Sequence, residues 1–510
     1  MLLDISLFST LGTLIALTLA YFLHKFFIGP YLSLLSYKKQ GGHILFFKEL
    51  ISHFQNWKNV SRYGDFYHTY REIVKKNPEA KFIVENRGTR GFITLVDLEM
   101  AKEFLRKYEV YHKDRSLLEI FMDVAMGTIV FAEGATWKKK RKIISSALNF
   151  EFLKDMVPMI VETTQANFGQ WIERGHLKDM NLADNLGMLT GEITGRFFFG
   201  KTFGDQKLEG LPITTFVQQY LNNTLKALYS LSFLLFGVKI VKANIFPSHK
   251  KINRDAAAIR QRCREMIEET ERSAKKEANL LTHLLALRAS GKEEDGITNE
   301  EIVGEFIGIF VAGTDTTSHL VNSAIYFLWK HPEIYAKVKE EVDREFADPS
   351  KVDIENINRM EYTTAFLKET LRLGGPISTN FTRMATRDDD LCGLKVKKGD
   401  SVVFLKDLYF RSEDYYSKSL EIHPERWLND SSFDQDGFKN EPYSFIPFSA
   451  GPRSCVGQYL GMIEARIILA LFIKTFKFSF PEDYKFVLVP KFTFEPLHPL
   501  MVTLEPKNKE

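Results

Sequence analysis

The segment Phe448-Ser449-Ala450-Gly451-Pro452-Arg453-Ser454-Cys455-Val456-Gly457 decides the fold class of this chain of 510 residues. A helix is predicted to begin directly after it, so the first amides and the positive end of the helix dipole face the sulfur of Cys455. This position favours a thiolate, which is the form of cysteine that binds a metal. An isolated cysteine is more often an inert buried thiol, but the residues around this one favour a ligand.

The neighbours of Cys455 suit the binding of a flat haem macrocycle. Gly451 and Gly457 allow the tight backbone path that brings a loop against a planar group. Phe448 can pack beneath the ring and shield the sulfur, and Arg453 can pair with a haem propionate. The segment resembles the haem-binding loop of the cytochrome P450 family, whose haem iron is held by a cysteine thiolate.

The resemblance implies a fold class that is mainly α with minor β. We expect a single cytochrome P450 fold domain over residues 29–510, and haem b (iron protoporphyrin IX) as its cofactor. Cys455 would be the axial ligand of the iron, and dioxygen a co-substrate. The resemblance also places Trp137 and Arg141, one helical turn apart, at a haem propionate. Arg383 follows Pro376 at a slightly longer spacing than the family usually has, and would bind another propionate.

A long and largely apolar helix is predicted from about Asn299 to Lys330. Thr298 and Glu301 form a capping box at its start, and a helix that is apolar nearly all round belongs in the interior. Its middle reads Ala312-Gly313-Thr314-Asp315-Thr316-Thr317. Because glycine and consecutive threonines are poor helix formers, we expect a local distortion there.

This segment matches the acid and alcohol pair that lies over the iron in cytochromes P450. The resemblance implies that Asp315 supplies protons and that Thr316 relays them and hydrogen-bonds dioxygen. Ala312 and Gly313 would leave room over the ring. The alternative for Thr316 is a hydroxyl that bonds back to a carbonyl one turn earlier.

A second family motif is Glu369-Thr370-Leu371-Arg372, in a helix predicted from about Met360 to Leu373. By itself such a pair is usually a surface contact. In cytochromes P450 the matching residues form a buried structural triad with a second arginine, here Arg426. Trp427 stands where the family usually has phenylalanine.

Other patterns predict the remaining elements near these motifs. Two strands, Lys81–Glu85 and Phe92–Val96, form a hairpin, and a third strand covers Val402–Phe404. A helix is predicted over Gln458–Thr475, and a last hairpin runs through Pro496.

The N-terminus predicts a transmembrane anchor helix in residues 1–28. About nineteen residues, Ile5–Leu23, are mostly apolar, and Lys25, Lys38 and Lys39 follow them. This length is near the minimum for a bilayer core of about 30 Å, and the basic residues place the rest of the chain in the cytoplasm. We expect single-pass attachment to the endoplasmic reticulum. A cleaved signal peptide is the rival interpretation.

The apolar stretch Leu228–Val241 is too short to span a membrane. It suggests an element at the membrane surface or at an entrance.

Composition limits the partners. Lys and Arg number 68 and Asp and Glu 65, a balance that excludes nucleic acid as the expected partner. The three cysteines are too scattered for a disulfide framework, which fits a reducing compartment. The basic run Lys138–Lys142 can be a solvated face, and it can at the same time be the docking site for an acidic flavin domain that the resemblance implies on the thiolate side.

Three function hypotheses follow. The first is a mono-oxygenase for a lipophilic small molecule. Because no dinucleotide fingerprint is present, its electrons would come from an NADPH-cytochrome P450 reductase-like flavoprotein on the same membrane. The second is a P450-fold peroxide isomerase or dehydratase, and the third is a non-enzymatic haem protein. The pair Asp315-Thr316 argues against the second and the third hypothesis.

The substrate class stays open, because the pocket candidates are equally well interpreted as core residues. These candidates are Phe121, Phe306, Phe310, Ala312 and Phe494.

Overall fold

A computed structural model describes residues 2–45, 52–87, 90–114, 127–204, 206–228, 230–273, 278–289, 297–428, 441, 443–491 and 493–507. The chain divides into two compact units, each assembled from separate stretches. The first consists of Met1–Asp114, Ser378–Phe410 and Asn440–Arg453. The second consists of Arg115–Ile377, Arg411–Lys439 and Ser454–Glu510.

The chain is mainly helical. In chain order the helices are α1 (Leu2–Leu23), α2 (Gly29–Lys38), α3 (Ser52–Tyr63), α4 (His68–Lys76), α5 (Leu98–Arg106), α6 (Gly134–Ala147), α7 (Phe150–Arg174), α8 (Leu182–Phe199), α9 (Ile213–Leu228), α10 (Leu231–Phe236), α11 (Val238–Lys242), α12 (Pro247–Arg272), α13 (Leu280–Ala289), α14 (Asn299–Lys330), α15 (Pro332–Glu345), α16 (Ile354–Asn358), α17 (Glu361–Gly374), α18 (Asp407–Phe410) and α19 (Gln458–Thr475). The described residues also contain one π-helical turn, His24–Ile28, and two 3₁₀ turns, Pro349–Lys351 and Pro424–Trp427.

The strands are short. They are β1 (His43–Leu45), β2 (Phe82–Arg87), β3 (Arg90–Leu95), β4 (Tyr111–Lys113), β5 (Met180–Asn181), β6 (Lys207–Leu208), β7 (Leu211–Pro212), β8 (Arg383–Ala385), β9 (Asp389–Leu391), β10 (Leu394–Val396), β11 (Ser401–Phe404), β12 (Phe476–Ser479), β13 (Leu488–Pro490), β14 (Phe494–Pro496) and β15 (Met501–Pro506).

A six-stranded mixed sheet forms the core of the first unit, in the order β1-β2-β3-β11-β8-β4. The predicted hairpin is confirmed, because β2 and β3 pair antiparallel with Ile83 opposite Thr94. Strand β11 lies parallel to β3 and antiparallel to β8, where Val402 is opposite Arg383. Ile83, Ile93 and Val402 are fully buried, as expected for strands covered on one or both faces.

Helix α14 is the longest element of the second unit and packs against α8, α17 and α19. Its bounds confirm the predicted helix, and the capping box of Thr298 and Glu301 is present. Most of its length is buried, which explains why its sequence is apolar nearly all round. Helix α19 also has its predicted bounds, and β13 and β14 form the predicted last hairpin.

Two predicted apolar segments adopt helical structure. Helix α1 covers the predicted anchor, and Leu14, Leu17 and Leu19 on it are exposed. Within the described part of the chain, no helix has the combination of length and apolarity that crossing a membrane requires. The stretch Leu228–Val241 contains the short helices α10 and α11, with the Phe236 side chain exposed between them.

Candidate functional site

Cys455 lies two residues before the N-cap of α19 and is exposed. The N-cap residue is Gly457, which has no side chain to satisfy the first amides of the helix. The first amides of the helix and the positive end of its dipole therefore favour the anionic form of the nearby sulfur. This is the electrostatic setting that a thiolate ligand needs.

Arg141, on α6, adds positive charge next to this sulfur. Its Nη1 donates to the carbonyl oxygen of Ser454 at 2.6 Å. Burial lowers the pKa of the Arg141 guanidinium, while negative charge on Cys455 acts in the opposite direction. Trp137, one turn earlier on α6, is 5% exposed. The structure thus brings Arg141 to the cysteine loop, and its predicted contact with a propionate stays a prediction.

The part of the loop before Ser454 belongs to the first unit. Gly451 has a φ of +73°, and a Cβ there would lie 3.2 Å from the carbonyl oxygen of Leu105. Only glycine fits this left-handed and close-packed position without strain. Ser449 also has a positive φ, and its hydroxyl accepts a hydrogen bond from Asn380 Nδ2 at 2.6 Å. Phe448 and Arg453 are both half-buried.

The backbone conformation of Gly457 differs from the predicted one, in which a tight path needed glycine. Its φ is −93°, which any residue adopts, so backbone conformation does not require glycine there. A Cβ built at this position meets no atom within 4 Å. The start of α19 is therefore open on that side, which fits the close approach of a planar group to the sulfur and the helix amides.

Arg383 lies on β8 in the first unit, 3% exposed, with its guanidinium carbon 5.2 Å from the centre of the Phe104 ring. Its neighbours in the sheet are Val402 on β11 and Lys113 on β4. The sheet thus holds a buried cation at the predicted position, while the predicted propionate contact stays a prediction.

Helix α14 runs without interruption through Ala312–Thr317, so the expected distortion does not break it. The Thr316 hydroxyl donates to the carbonyl oxygen of Ala312 at 2.7 Å, which is the alternative that the sequence left open. Ala312 is exposed and Thr316 half-exposed on a helix that is otherwise largely buried. This face can therefore receive a ligand.

Gly313 packs against helix α8. A Cβ at Gly313 would lie 3.1 Å from the Thr194 Oγ1, a closer approach than most side chains tolerate. One turn earlier on α8, the Thr190 hydroxyl donates to the carbonyl oxygen of Thr314 at 2.8 Å. Contact between two helices is thus sufficient reason for glycine at position 313, whereas the predicted reason was space over a ring.

The start of α19 meets α14 beside this face. A Cβ at Gly461 would be 3.7 Å from the Thr317 Oγ1. This contact places the first turn of α19, which follows Cys455 in the chain, against the residue that follows Asp315 and Thr316 on α14. The exposed Cys455, the open helix start and the exposed face of α14 together fit haem held by a thiolate.

Asp315 has partners that the sequence did not reveal. Its Oδ2 accepts a hydrogen bond from the Thr493 hydroxyl at 2.7 Å, and the same hydroxyl lies 2.7 Å from His319 Nδ1. His319 could have been noticed, because it follows Asp315 by one helical turn. Thr493 lies in the hairpin β13–β14, and nothing local to either segment predicts that contact.

Glu369, Arg372 and Arg426 are in contact and buried. Arg372 Nη2 donates to Glu369 Oε1 at 2.7 Å, and Arg426 Nε donates to the same oxygen at 2.9 Å. Trp427 Nε1 donates to Glu369 Oε2 at 2.9 Å, so the tryptophan that departs from the family pattern adds a hydrogen bond. Burial alone would raise the pKa of the Glu369 carboxyl, yet Arg372 and Arg426 hold it below its ordinary value.

Lys140 is the exception in the predicted basic face. It is 2% exposed, and its Nζ lies 3.1 Å from Glu305 Oε1 on α14. Glu305 also accepts from the backbone amide of Ile129 at 2.9 Å and from the Thr128 hydroxyl at 3.3 Å. Burial raises the pKa of the Glu305 carboxyl, against the effect of the Lys140 charge. The prediction of a solvated face was wrong for Lys140, whereas Lys138 and Lys142 are exposed.

Two pocket candidates belong to an aromatic core. Phe306 and Phe310 are 2% and 1% exposed and pack with Phe198, Phe199 and Phe203. Core packing, one of the two interpretations that the sequence left open, accounts for the burial of both side chains. Phe494 is 8% exposed, and its amide donates to the carbonyl oxygen of Pro376 at 2.7 Å. Phe121 lies outside the described residues.

Comparison with known proteins gives a consistent picture. The family model described as Cytochrome P450 matches residues 48–504 as one domain. Cytochrome P450 709B1 of Arabidopsis thaliana is 27% identical over 90% of this chain and 85% of its own length. The 7-deoxyloganic acid hydroxylase of Catharanthus roseus is 27% identical over 83% and 84%. Cytochrome P450 3A12 of Canis lupus familiaris is 25% identical over 82% and 84%.

Proposed function

Because this chain belongs to the cytochrome P450 family and is a cytochrome P450 mono-oxygenase, we propose that it inserts one atom of dioxygen into a lipophilic small molecule. The other oxygen atom leaves as water. One observation carries the proposal: the exposed sulfur of Cys455 stands at an open helix start that packs on the segment of α14 containing Asp315 and Thr316. Two electrons are needed, and an NADPH-dependent flavoprotein reductase supplies them.

The residues have separate parts in this proposal. Cys455 would hold the haem iron, and the haem propionates would bind to Trp137, Arg141, Arg383 and Arg453. Phe448 would shield the sulfur. Haem bound there would supply the activation of dioxygen. Asp315 holds a proton near the reacting oxygen, and Thr316, whose hydroxyl bonds back to Ala312 at rest, turns to pass it on.

The test is product formation by the full chain with haem, a flavoprotein reductase and NADPH. Substrates for it come from a spectral-shift screen of lipid and xenobiotic libraries, which detects the displacement of water from the iron. We expect product that needs both NADPH and the reductase. Rearrangement of an organic peroxide without NADPH would instead support the isomerase or dehydratase hypothesis, and ligand binding without turnover would support a non-enzymatic haem protein.

Replacing Thr316 by alanine should lower the product formed per NADPH about a hundredfold, the lower end of what positioned proton transfer contributes. Electrons should then leave as hydrogen peroxide, so the measurement compares NADPH consumed, product and peroxide. Thr270→Ala on α12 is the matched control, because its hydroxyl makes the same bond to a carbonyl one turn earlier, at 2.8 Å. We call the product formed per NADPH consumed the coupling. If Thr316→Ala had the same coupling as the parent, Thr316 would have no part in proton transfer.

We also propose that the protein works on the cytoplasmic side of the endoplasmic reticulum, with α1 in contact with lipid. The exposed leucines Leu14, Leu17 and Leu19 support this, since apolar side chains on a helix favour the bilayer. Deleting residues 2–23 should lower co-flotation with phosphatidylcholine vesicles at least about tenfold while the spectrum of the carbon monoxide form is kept. Unchanged flotation would contradict the role of α1.

A further inference from the structure

A chain of polar side chains, joined by hydrogen bonds and ion-pair contacts, leads away from Asp315 on the side of the hairpin β13–β14. Thr493, in the turn of this hairpin, is 4% exposed, and its hydroxyl lies 2.7 Å from Asp315 Oδ2 and 2.7 Å from His319 Nδ1. On the far side of the imidazole, His319 Nε2 lies 3.7 Å from Glu495 Oε2. Glu495 pairs with Lys491 at 3.2 Å. Three residues, Thr493, His319 and Glu495, thus connect Asp315 with Lys491, whose side chain is exposed.

The donors in this chain are determined by its chemistry. The Thr493 hydroxyl donates its single proton to Asp315 Oδ2. The Thr493 oxygen must then accept from His319, which requires a proton on Nδ1. Nδ1 carries this proton in one neutral tautomer and in the charged imidazolium. The geometry therefore excludes the tautomer that is protonated on Nε2 alone.

We propose that Thr493 and His319 are positioning residues for the proton chemistry of Asp315. Thr493 holds Oδ2 in one direction, which leaves Oδ1 as the oxygen that delivers a proton on the side of Thr316. His319 in turn fixes the direction of the Thr493 proton. This inference rests on the proposed function, and it extends the machinery from two residues of α14 to a residue of the hairpin.

The first experiment compares Thr493→Val with Thr493→Ser in the full haem-loaded chain. Valine keeps the volume and removes the hydroxyl, so product per NADPH should fall about tenfold, the effect of one lost hydrogen bond to a charged group. Serine restores the hydroxyl and should recover most of the coupling. Ser323→Ala is the matched control, because it removes another buried hydroxyl of this unit, which donates to the carbonyl oxygen of Gly374 at 2.8 Å.

The second experiment changes the imidazole. His319→Gln keeps an N–H donor for the Thr493 oxygen, so most of the product formed per NADPH should be retained. His319→Leu removes this donor and should lower the product formed per NADPH about tenfold. His249→Gln is the control, since His249 is equally buried and bonds through Nδ1 to the carbonyl oxygen of Ile240 at 3.1 Å.

A measurement without turnover tests the same contacts. In the diamagnetic ferrous carbon monoxide form labelled with ¹⁵N-histidine, the His319 signal should show a proton on Nδ1, and Thr493→Val should shift it. An Nε2 tautomer, or a signal that Thr493→Val leaves unchanged, would overturn the inference. So would product formation by Thr493→Val with the coupling of the parent. A parent chain that binds carbon monoxide and makes no product would instead contradict the proposed function.

Discussion

Replacing Cys455 by serine should abolish the thiolate-type spectrum of the ferrous carbon monoxide form and reduce turnover below detection. Serine has nearly the shape of cysteine, but its hydroxyl stays protonated where the thiol ionises. The amides at the start of α19 and the charge of Arg141 can stabilise an anion only if the side chain can form one. The measurement is the difference spectrum, together with product formed under NADPH and a reductase.

A second cysteine provides the control for this experiment. Cys392 is also exposed, and its thiol donates to Glu103 at 2.7 Å in the first unit. Cys392→Ser should keep the spectrum and the turnover of the parent, so an effect confined to Cys455→Ser identifies the ligand. If Cys455→Ser kept the absorption and turnover of the parent, the iron would be bound elsewhere and the proposed function would lose its basis.

Replacing Glu369 by glutamine should lower the free energy of unfolding by about 3–5 kcal/mol, because it leaves two buried arginines without their counter-charge. Glu369, Arg372 and Arg426 all have fully buried side chains. The measurement is chemical denaturation of the haem-loaded chain, monitored by the haem spectrum and by circular dichroism. A loss below about 1 kcal/mol would contradict a structural role for the triad.

The pH dependence of this effect has a definite sign. The folded pKa of Glu369 lies below its ordinary value, so its contribution to stability is fully present above the unfolded pKa of about 4.3 and is lost as pH falls through the folded pKa. The difference between the parent and Glu369→Gln should therefore shrink on acidification below about pH 4. A difference that stayed constant down to about pH 2 would show that charge is not its cause.

Trp427→Phe provides a milder test of the same cluster, which stays informative even when Glu369→Gln does not accumulate in folded form. It restores the residue usual in the family and removes one hydrogen bond to Glu369, which should cost about 1.5 kcal/mol. Unchanged stability in Trp427→Phe would mean that the indole contact contributes nothing to the triad.

Much of the secondary structure could be predicted from local patterns. Helix α14 was predicted with its observed bounds, because a capping box at Thr298 and the dipeptide His331-Pro332 mark its two ends. Helix α19 was likewise predicted over Gln458–Thr475. Signals of this kind are carried by residues close together in the chain, so a single sequence contains them.

The partners of the site residues could not be predicted in the same way. Lys140 looked like its exposed neighbours, and its burial depends on Glu305, far along the chain. The contact of Thr493 with Asp315 joins a hairpin and a helix whose own patterns are independent. Such contacts are determined by tertiary packing, to which local propensity contributes little. The contact of Gly313 with Thr194 could not be predicted either, because Thr194 lies on a different helix, α8.

The carboxylate of Glu305 also limits how parts of the second unit can move. It binds the Thr128–Ile129 stretch and, through Lys140, the helix α6 that carries Trp137 and Arg141. If this stretch shifts, it must either carry α6 with it or leave a buried carboxylate without its donors, which is costly. Glu305 therefore couples the Thr128–Ile129 stretch to α6. A movement of this stretch is transmitted through α6 to Trp137 and to Arg141, which lies next to Cys455.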